Sequence, residues 1–309
     1  MELIRGVHNL RPRHRGCVLT IGNFDGVHLG HQRILQRVRE QADLLGLRPA
    51  VMLFEPQPME FFAPDQAPPR LMSLRDKICA LHRAGVEVLM CARFDERFRS
   101  QSAEEFVRHL LLDGLGVGHL VVGDDFRFGA DRQGDFSYLC DAGGRFGFGV
   151  EDTPTCELEG ERVSSTRIRS ALVAGDLAGA ERLLGRPYAI SGRVRHGDAI
   201  GRTINVPTAN LPLSRRRSPL AGVYAVRVSG AAGRPLNGVA NVGHRPTVGG
   251  DEARLEVHLL DFDGDLYGRH LTVEFAHFIR GEKKFDGLDA LKQAIQQDIE
   301  QAHAWFATQ

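Results

Sequence analysis

The sequence predicts an α/β domain built on a parallel sheet, followed by an all-β domain that closes with a helix. Three observations carry this. From residue 17 to about residue 151, apolar strand-like runs alternate with helix-like segments, the pattern of a parallel sheet with crossover helices. Beyond Arg186 the composition changes to short strands punctuated by glycine, an all-β signature. A chain of 309 residues is also long for a single core, so two domains are expected, residues 1–186 and 187–309.

The first strand is Cys17-Val18-Leu19-Thr20-Ile21, a short apolar run with β-branched residues. Ile34, Leu35, Val38 and Leu45 then recur at helical spacing, and Gly46 stands where a helix stops. Residues 50–54 form the next apolar strand, which ends at Glu55-Pro56-Gln57-Pro58. Ser73-Leu74-Arg75-Asp76 reads as a capping box ahead of a helix with Ile78 and Leu81 on one face. Residues 86–90 return as a strand, and Ser102-Ala103-Glu104-Glu105 caps a helix carrying Phe106, Leu110 and Leu111. Residues 119–122 form a strand that runs into Gly123-Asp124-Asp125-Phe126-Arg127-Phe128-Gly129. Helices follow from Ser164 and over 176–184, and Gly185-Arg186-Pro187 breaks the pattern. Candidate strands lie at 189–194, 222–228, 236–242, 255–260 and 271–275. The closing helix carries Leu288, Leu291, Ile295 and Ile299 on one face, with Trp305 and Phe306 near its end.

Several function classes are excluded by composition. Lys+Arg and Asp+Glu both total 39, so nothing argues for wholesale nucleic-acid binding. No apolar run is long enough to span a bilayer, and the N-terminus has no secretory h-region, so no membrane partner is expected. The five cysteines, at 17, 79, 91, 140 and 156, form no CxxC pair, which suits reduced thiols in a cytoplasmic protein. Arg215-Arg216-Arg217 reads as a solvated loop.

Chemistry concentrates in four stretches. In Gly22-Asn23-Phe24-Asp25-Gly26-Val27-His28-Leu29-Gly30-His31 a strand passes through a glycine-rich turn into the first turn of a helix. Glycines let the backbone approach a phosphate chain, and a helix start offers unpaired N–H groups at a positive dipole end. His28 and His31, three residues apart, share one face, where imidazoles can bond oxygens that gain charge during phosphoryl transfer. The same residues also fit a tight turn with two surface histidines. The Gly123–Gly129 loop, at the carboxyl end of a strand, offers Asp125 and Arg127 to a substrate, or is a structural turn. Ser164-Ser165-Thr166-Arg167-Ile168-Arg169 caps a helix and can also cradle a polyphosphate. In Gly201-Arg202-Thr203-Ile204-Asn205-Val206-Pro207-Thr208-Ala209-Asn210, proline fixes the backbone. Thr208 and Asn210 offer neutral oxygens suited to a magnesium ion that keeps several waters, or the segment is a plain barrel loop.

The first stretch resembles the HxGH nucleotidyltransferases, and its longer string resembles one branch, the bacterial bifunctional riboflavin kinase/FAD synthetases. The resemblance runs from about residue 15 to about residue 300 with its motifs in order. It implies a Rossmann-like α/β nucleotidyltransferase domain followed by a riboflavin-kinase β-barrel of six strands with a C-terminal helix. It further implies that riboflavin is phosphorylated to FMN with ATP and Mg²⁺, and that FMN is then adenylylated with ATP to give FAD and pyrophosphate. By the same resemblance Gly22, Phe24, Gly26, Gly30, Ser165, Thr166 and Arg169, with Gly201 and Thr203 in the second domain, bind nucleotide. His28 and His31 act in adenylyl transfer, and Thr208 and Asn210 hold the metal. Glu256, in Leu255-Glu256-Val257-His258, sits where the kinase family keeps its proposed base. Asp125, Arg127, Tyr224 and Arg280 are assigned to flavin. Asn241-Val242-Gly243, Arg245-Pro246-Thr247 and Leu266-Tyr267-Gly268 also recur in the family's order. Three positions depart from it: Gln57 for a common His, Asn205 for a usual Gly, and Asp125 where some members have Asn. The competing readings are a flavin- or nucleotide-binding regulator without turnover, and a nucleotidyltransferase of another substrate. Both sit poorly with the intact motifs of both halves.

Overall fold

Strand and helix alternation in the first half of the chain resolves, in a computed structural model, into a six-stranded parallel sheet in the order β1-β4-β3-β2-β5-β6. Its strands are β1 (Glu2–Arg5), β2 (Cys17–Ile21), β3 (Arg48–Glu55), β4 (Val88–Arg93), β5 (Val117–Gly123) and β6 (Gly149–Thr153). The structure describes residues 1–123, 125–196, 206–213, 217–247 and 250–309, the side chains of 244–247 and 250–252 excepted. They divide into two units. Met1–Pro68 and Leu74–Ser164 form the first, and Pro69–Ser73 and Ser165–Gln309 the second.

Every residue of β2 is buried, as expected of a parallel strand covered on both faces. Alternate side chains serve opposite cores. Cys17, Leu19 and Ile21 join Met52, Met90, Leu120 and Val122 in the larger core, against Phe106, Leu110, Leu111 and Leu139. Val18 and Val121 face the other way and pack on Val38 and Ala42 of α1 (Leu29–Leu45). Gly46, with φ 64°, ends α1 in the left-handed conformation that glycine tolerates best. Short helices α2 (Pro58–Phe62), α3 (Leu74–Arg83) and α4 (Glu96–Arg99) follow. Ser102 accepts from the Glu105 N–H and caps α5 (Ala103–Glu105), whose continuation over Phe106–Gly114 is a π-helix rather than the expected α-helix. The wider turn brings Phe106, Val107, Leu110 and Leu111 all to the core. α6 (Phe136–Phe146) and a small hairpin of β7 (Glu157–Leu158) and β8 (Glu161–Arg162) complete the unit. β1 was not foreseen: four residues with a charge at each end carry no apolar run.

The second unit holds α7 (Ser165–Val173), α8 (Leu177–Leu184) and an antiparallel sheet in the order β10-β13-β12-β11-β14-β9. These are β9 (Ala189–Arg193), β10 (Ala209–Pro212), β11 (Gly222–Ser229), β12 (Leu236–Thr247), β13 (Gly250–Leu259) and β14 (His270–Arg280). The two end strands meet where the Arg195 N–H donates to the Asn210 carbonyl at 2.9 Å, so the sheet is a nearly closed barrel. β10 was absent from the expected strands because proline and asparagine interrupt its apolar pattern. α9 (Leu288–Phe306) packs on the barrel through Ala302, Ile299, Trp305 and Phe306. Leu288, expected on the apolar stripe, is 61% exposed, because it opens the helix before the packed turns begin. No helix among the described residues is long and apolar enough to cross a membrane.

Arg280 on β14 clasps Asp298 on α9 with two parallel hydrogen bonds of 2.7 and 2.8 Å, and the Asp298 side chain is only 4% exposed. Removing one partner of a buried pair costs about 3–5 kcal/mol, and partial exposure of Arg280 reduces that to roughly 2. Asp298→Ala should therefore lower amide-exchange protection along α9 by roughly 2 kcal/mol while leaving the parallel sheet's amides unchanged.

Candidate active sites

Between β2 and α1 the chain must turn within seven residues. Phe24 and Val27 take positive φ, 47° and 42°, and Gly26 takes 89°. For non-glycine residues, a β-branched valine above all, this conformation costs on the order of 1–3 kcal/mol each. Their side chains are 2% and 3% exposed, and that burial offsets the strain. Gly22 leaves room for the Phe24 ring, which a Cβ there would meet at a tight 3.2 Å.

The turn delivers His28 to the N-cap of α1, where its Nδ1 accepts the His31 backbone N–H at 3.3 Å. An imidazole that accepts at Nδ1 carries its proton, when neutral, on Nε2. The two rings stack with centroids 3.7 Å apart and planes inclined by 16°, and Phe24 lies 4.8 Å from His31. A Cβ on Gly30 would come a tight 3.2 Å from the His28 ring, so glycine there leaves the stack its room. His31 Nδ1 is buried with no hydrogen-bond partner among the described residues. Burial, helped by His28 and Lys77, pushes the His31 pKa well below the usual 6.5.

Lys77 is 1% exposed and its Nζ donates to the Asn23 carbonyl at 2.6 Å. The signal was in the sequence: Leu74, Lys77, Ile78 and Leu81 follow i, i+3, i+4, i+7, which sets a lysine in an apolar stripe.

A run of aromatic rings follows the carboxyl ends of β3, β4 and β5. Phe54 lies 5.6 Å from Phe94, Phe62 also 5.6 Å from Phe94, and Phe106 5.0 Å from Phe128. Phe62 at its end is 57% exposed. Sequence reading passed over this group, although 17 phenylalanines against one tryptophan is itself a signal. Gln57, 7% exposed at the start of α2, keeps a buried Nε2 without a partner among the described residues. Asp125 is exposed and accepts from Arg162 Nη2 at 2.9 Å, while Arg127 donates to the Phe126 carbonyl. Asp124 lies outside the described residues.

In the second unit, Ser165 and Thr166 open α7, and Arg169 Nε donates to the Pro69 carbonyl at 2.7 Å. On the barrel, register lines up five residues across five strands. Asn210 pairs with Glu256, Glu256 with Asn241, Asn241 with Val223, and Val223 with Arg280. All five line one cavity of about 310 Å³ whose roof is Leu291, Ile295 and Ile299 of α9. Asn241 had been noted only as part of a recurring string. Its place opposite Glu256 follows from register, which sequence does not display. A second cavity of about 390 Å³ is lined by residues including Val194, Leu259 and the 262–267 loop, and Thr208 lines both. His258 Nδ1–H donates to the Pro207 carbonyl at 2.9 Å and fixes the segment that carries Thr208. Tyr224 lines neither cavity. It is 1% exposed in the barrel core, its hydroxyl donates to the Ala221 carbonyl at 2.9 Å, and burial raises its pKa to about 12. Gly201, Thr203 and Asn205 lie outside the described residues, as do Arg215 and Arg216.

Two family models match the chain. One described as FAD synthetase covers residues 10–167, and one described as riboflavin kinase covers residues 184–306. A bifunctional riboflavin kinase/FMN adenylyltransferase of Pseudomonas fluorescens is 57% identical over 308 residues, 99% of this chain and 98% of that protein. The protein of the same name from Escherichia coli K12 is 54% identical over 307 residues, again 99% and 98%. A crystal structure titled as a macrolide-efflux protein from Streptococcus pneumoniae is 33% identical with a TM-score of 0.80, covering 99% of this chain and 100% of that one.

The His31 environment has a measurable consequence. Between its depressed folded pKa and the ordinary 6.5, the unfolded chain binds the proton that the folded chain refuses, so stability falls as pH drops through that window. In an NMR titration His31 should stay neutral at pH 6.5 and protonate only well below it, whereas an ordinary histidine would be half charged there.

Proposed function

The chain belongs to the bacterial bifunctional riboflavin kinase/FMN adenylyltransferases, and we propose that residues 1–186 carry the adenylyl transfer and residues 187–309 the kinase. The protein is an enzyme that converts riboflavin to FMN and FMN to FAD, with ATP as co-substrate of both steps. The observation that carries the division of labour is the order of motifs: adenylyl-transfer strings end by Arg169 and kinase strings begin at Gly201.

In the kinase reaction the riboflavin 5′-hydroxyl attacks the γ-phosphate of ATP, its proton passes to Glu256, and ADP departs. Glu256 lines only the cavity roofed by α9, whose apolar residues suit an isoalloxazine ring, so riboflavin is assigned there and the nucleotide to the neighbouring cavity. Thr208 lines both, the position required of a group at the transferring phosphate. Among the described residues no three His, Cys, Asp or Glu side chains gather around a metal. Thr208 and Asn210 fit Mg²⁺ instead as neutral oxygens that add to the nucleotide's own phosphates. There the ion would offset charge on the phosphoryl oxygens.

Adenylyl transfer needs no base, because the FMN phosphate is already an anion when it attacks the α-phosphate and expels pyrophosphate. His28, donating from Nε2, and His31 stabilise the charge that develops, while Gly22, Phe24, Gly26 and Gly30 shape the turn. Ser165, Thr166 and Arg169 are assigned to the triphosphate by their motif. The aromatic run ending at exposed Phe62 supports an FMN ring stacked at the carboxyl edge of the sheet, with Asp125 and Arg127 nearby in sequence to the last strand it uses. A cytoplasmic location belongs to the same proposal, supported by five cysteines that stay free thiols.

The primary test incubates the purified protein with riboflavin, ATP and Mg²⁺ and resolves FMN from FAD by chromatography. His28→Ala and His31→Ala should each cut FAD synthesis from supplied FMN by roughly 10²-fold while FMN formation stays near wild type. Equal losses in both reactions would mean a folding defect. Glu256→Gln should lower kinase kcat by about 10²–10⁴-fold with ATP affinity nearly intact. Thr208→Ala should instead raise the KM for Mg-ATP. A Glu256→Gln enzyme with full kinase turnover removes Glu256 from the role of base.

A further inference from the structure

Neither reaction described above uses Lys77, yet at 1% exposed on α3 it is the most buried charged side chain among the described residues. An ammonium taken out of water persists only where a specific bond holds it. One such bond goes to the Asn23 carbonyl, at 2.6 Å and 54 residues away in sequence. That carbonyl immediately precedes Phe24, the first of the two strained residues of the turn. The rest of the turn is tied at its ends. The Gly22 N–H donates to the Met52 carbonyl at 3.1 Å, and Gln32 Nε2 donates to the Val27 carbonyl at 3.0 Å. Between those ties, Lys77 reaches in from another element.

We propose that Lys77 is a positioning residue for adenylyl transfer: its ammonium fastens the Asn23 carbonyl to α3 and so holds the strained Phe24–Val27 turn that sets His28 and His31 toward the nucleotide. This rests on the adenylyl-transfer role of residues 1–186. A lysine also does something here that a neutral donor does not. The titratable groups packed around the turn are His28 and His31, Asp25 within it, Cys156 beside Gly30, and Lys77. Of these, Lys77 and His28 favour the neutral form of His31 by adding positive charge beside it. The ammonium therefore shapes the turn and adds to the burial that keeps His31 uncharged.

The test uses the full-length chain with Lys77→Met and Lys77→Arg, following FAD formation from FMN and ATP, FMN formation from riboflavin, and the pH profile of the first. Lys77→Met should lower kcat for FAD synthesis by about 10²-fold, the scale of a misplaced catalytic group, with kinase activity near wild type. The acid limb of the FAD profile should move to higher pH, since losing the cation lets His31 protonate more readily. Lys77→Arg, which keeps the charge, should leave that limb in place and recover part of kcat. FAD synthesis near wild type in Lys77→Met overturns the proposal, and so does a loss with the acid limb unmoved, which is what a purely structural lysine would give. If Lys77→Met loses kinase activity too, Lys77→Gln, a donor without charge, is judged by the same shift of the limb. A wild-type enzyme that makes FMN but no FAD would instead defeat the adenylyl-transfer assignment itself.

Discussion

A slip of one residue in β13 would carry Glu256 from the outer face of the barrel into its core, and the proposed kinase site depends on that slip being forbidden. The side-chain period of a strand is two, so Ala253, Leu255, Val257 and Leu259 are buried while Arg254, Glu256 and His258 stay partly exposed. Reversing that pattern would expose three large apolar side chains, each worth about 1.5–3 kcal/mol, and bury a carboxylate. The same register aligns Glu256 with Asn210 on one side and Asn241 on the other. Hydrophobic burial inside the barrel thus positions a polar row outside it, and α9 converts that row from a wet surface into a cavity wall.

In the parallel unit the corresponding constraint is a turn rather than a register. Two buried side chains in positive-φ conformations hold strain that their burial offsets; glycine at 26 takes a third positive φ, and glycine at 22 and 30 leaves out Cβ atoms that would stand 3.2 Å from the Phe24 and His28 rings. The product is a pair of stacked imidazoles at a helix start, one with its tautomer set by a backbone N–H and the other kept neutral by burial.

Elements with strong period or strong punctuation were legible in the sequence: the β2–turn–α1 unit, the alternation through β5, and the change to β at Arg186. Those missed were short or interrupted. β1 has four residues, and β10 carries Asn210 and Pro212 in a four-residue strand. The strings that mark His28, His31, Thr208, Asn210 and Glu256 were visible because each is local. Asn241 was not, because its meaning lies in register; the phenylalanine run and Lys77 leave a trace in composition and periodicity, but what they meet lies in clustering of residues far apart in sequence and in one polar atom reaching across 54 residues. Tyr224 is the converse case. A motif string pointed to flavin, but strand alternation turns its ring into the barrel core, where its hydroxyl serves the backbone.

The two chemistries proposed here place opposite demands on charge, which gives a physical reason for two separate sites in one chain. A hydroxyl nucleophile must lose a proton, so the kinase site needs a proton acceptor, and the polar row along the cavity presents the Glu256 carboxyl for that role. A phosphate nucleophile arrives as a dianion, and a carboxylate in its path would repel it. The turn at β2 offers imidazole and backbone N–H groups with a lysine behind them, and its one carboxylate, Asp25, is only 2% exposed. A carboxylate poised for the first reaction would hinder the second, and a cationic turn suited to the second would depress the basicity of a carboxylate set beside it. Keeping the Glu256 row on the barrel apart in sequence from the His28–His31 turn on the parallel sheet lets each reaction keep the electrostatic environment its own nucleophile requires.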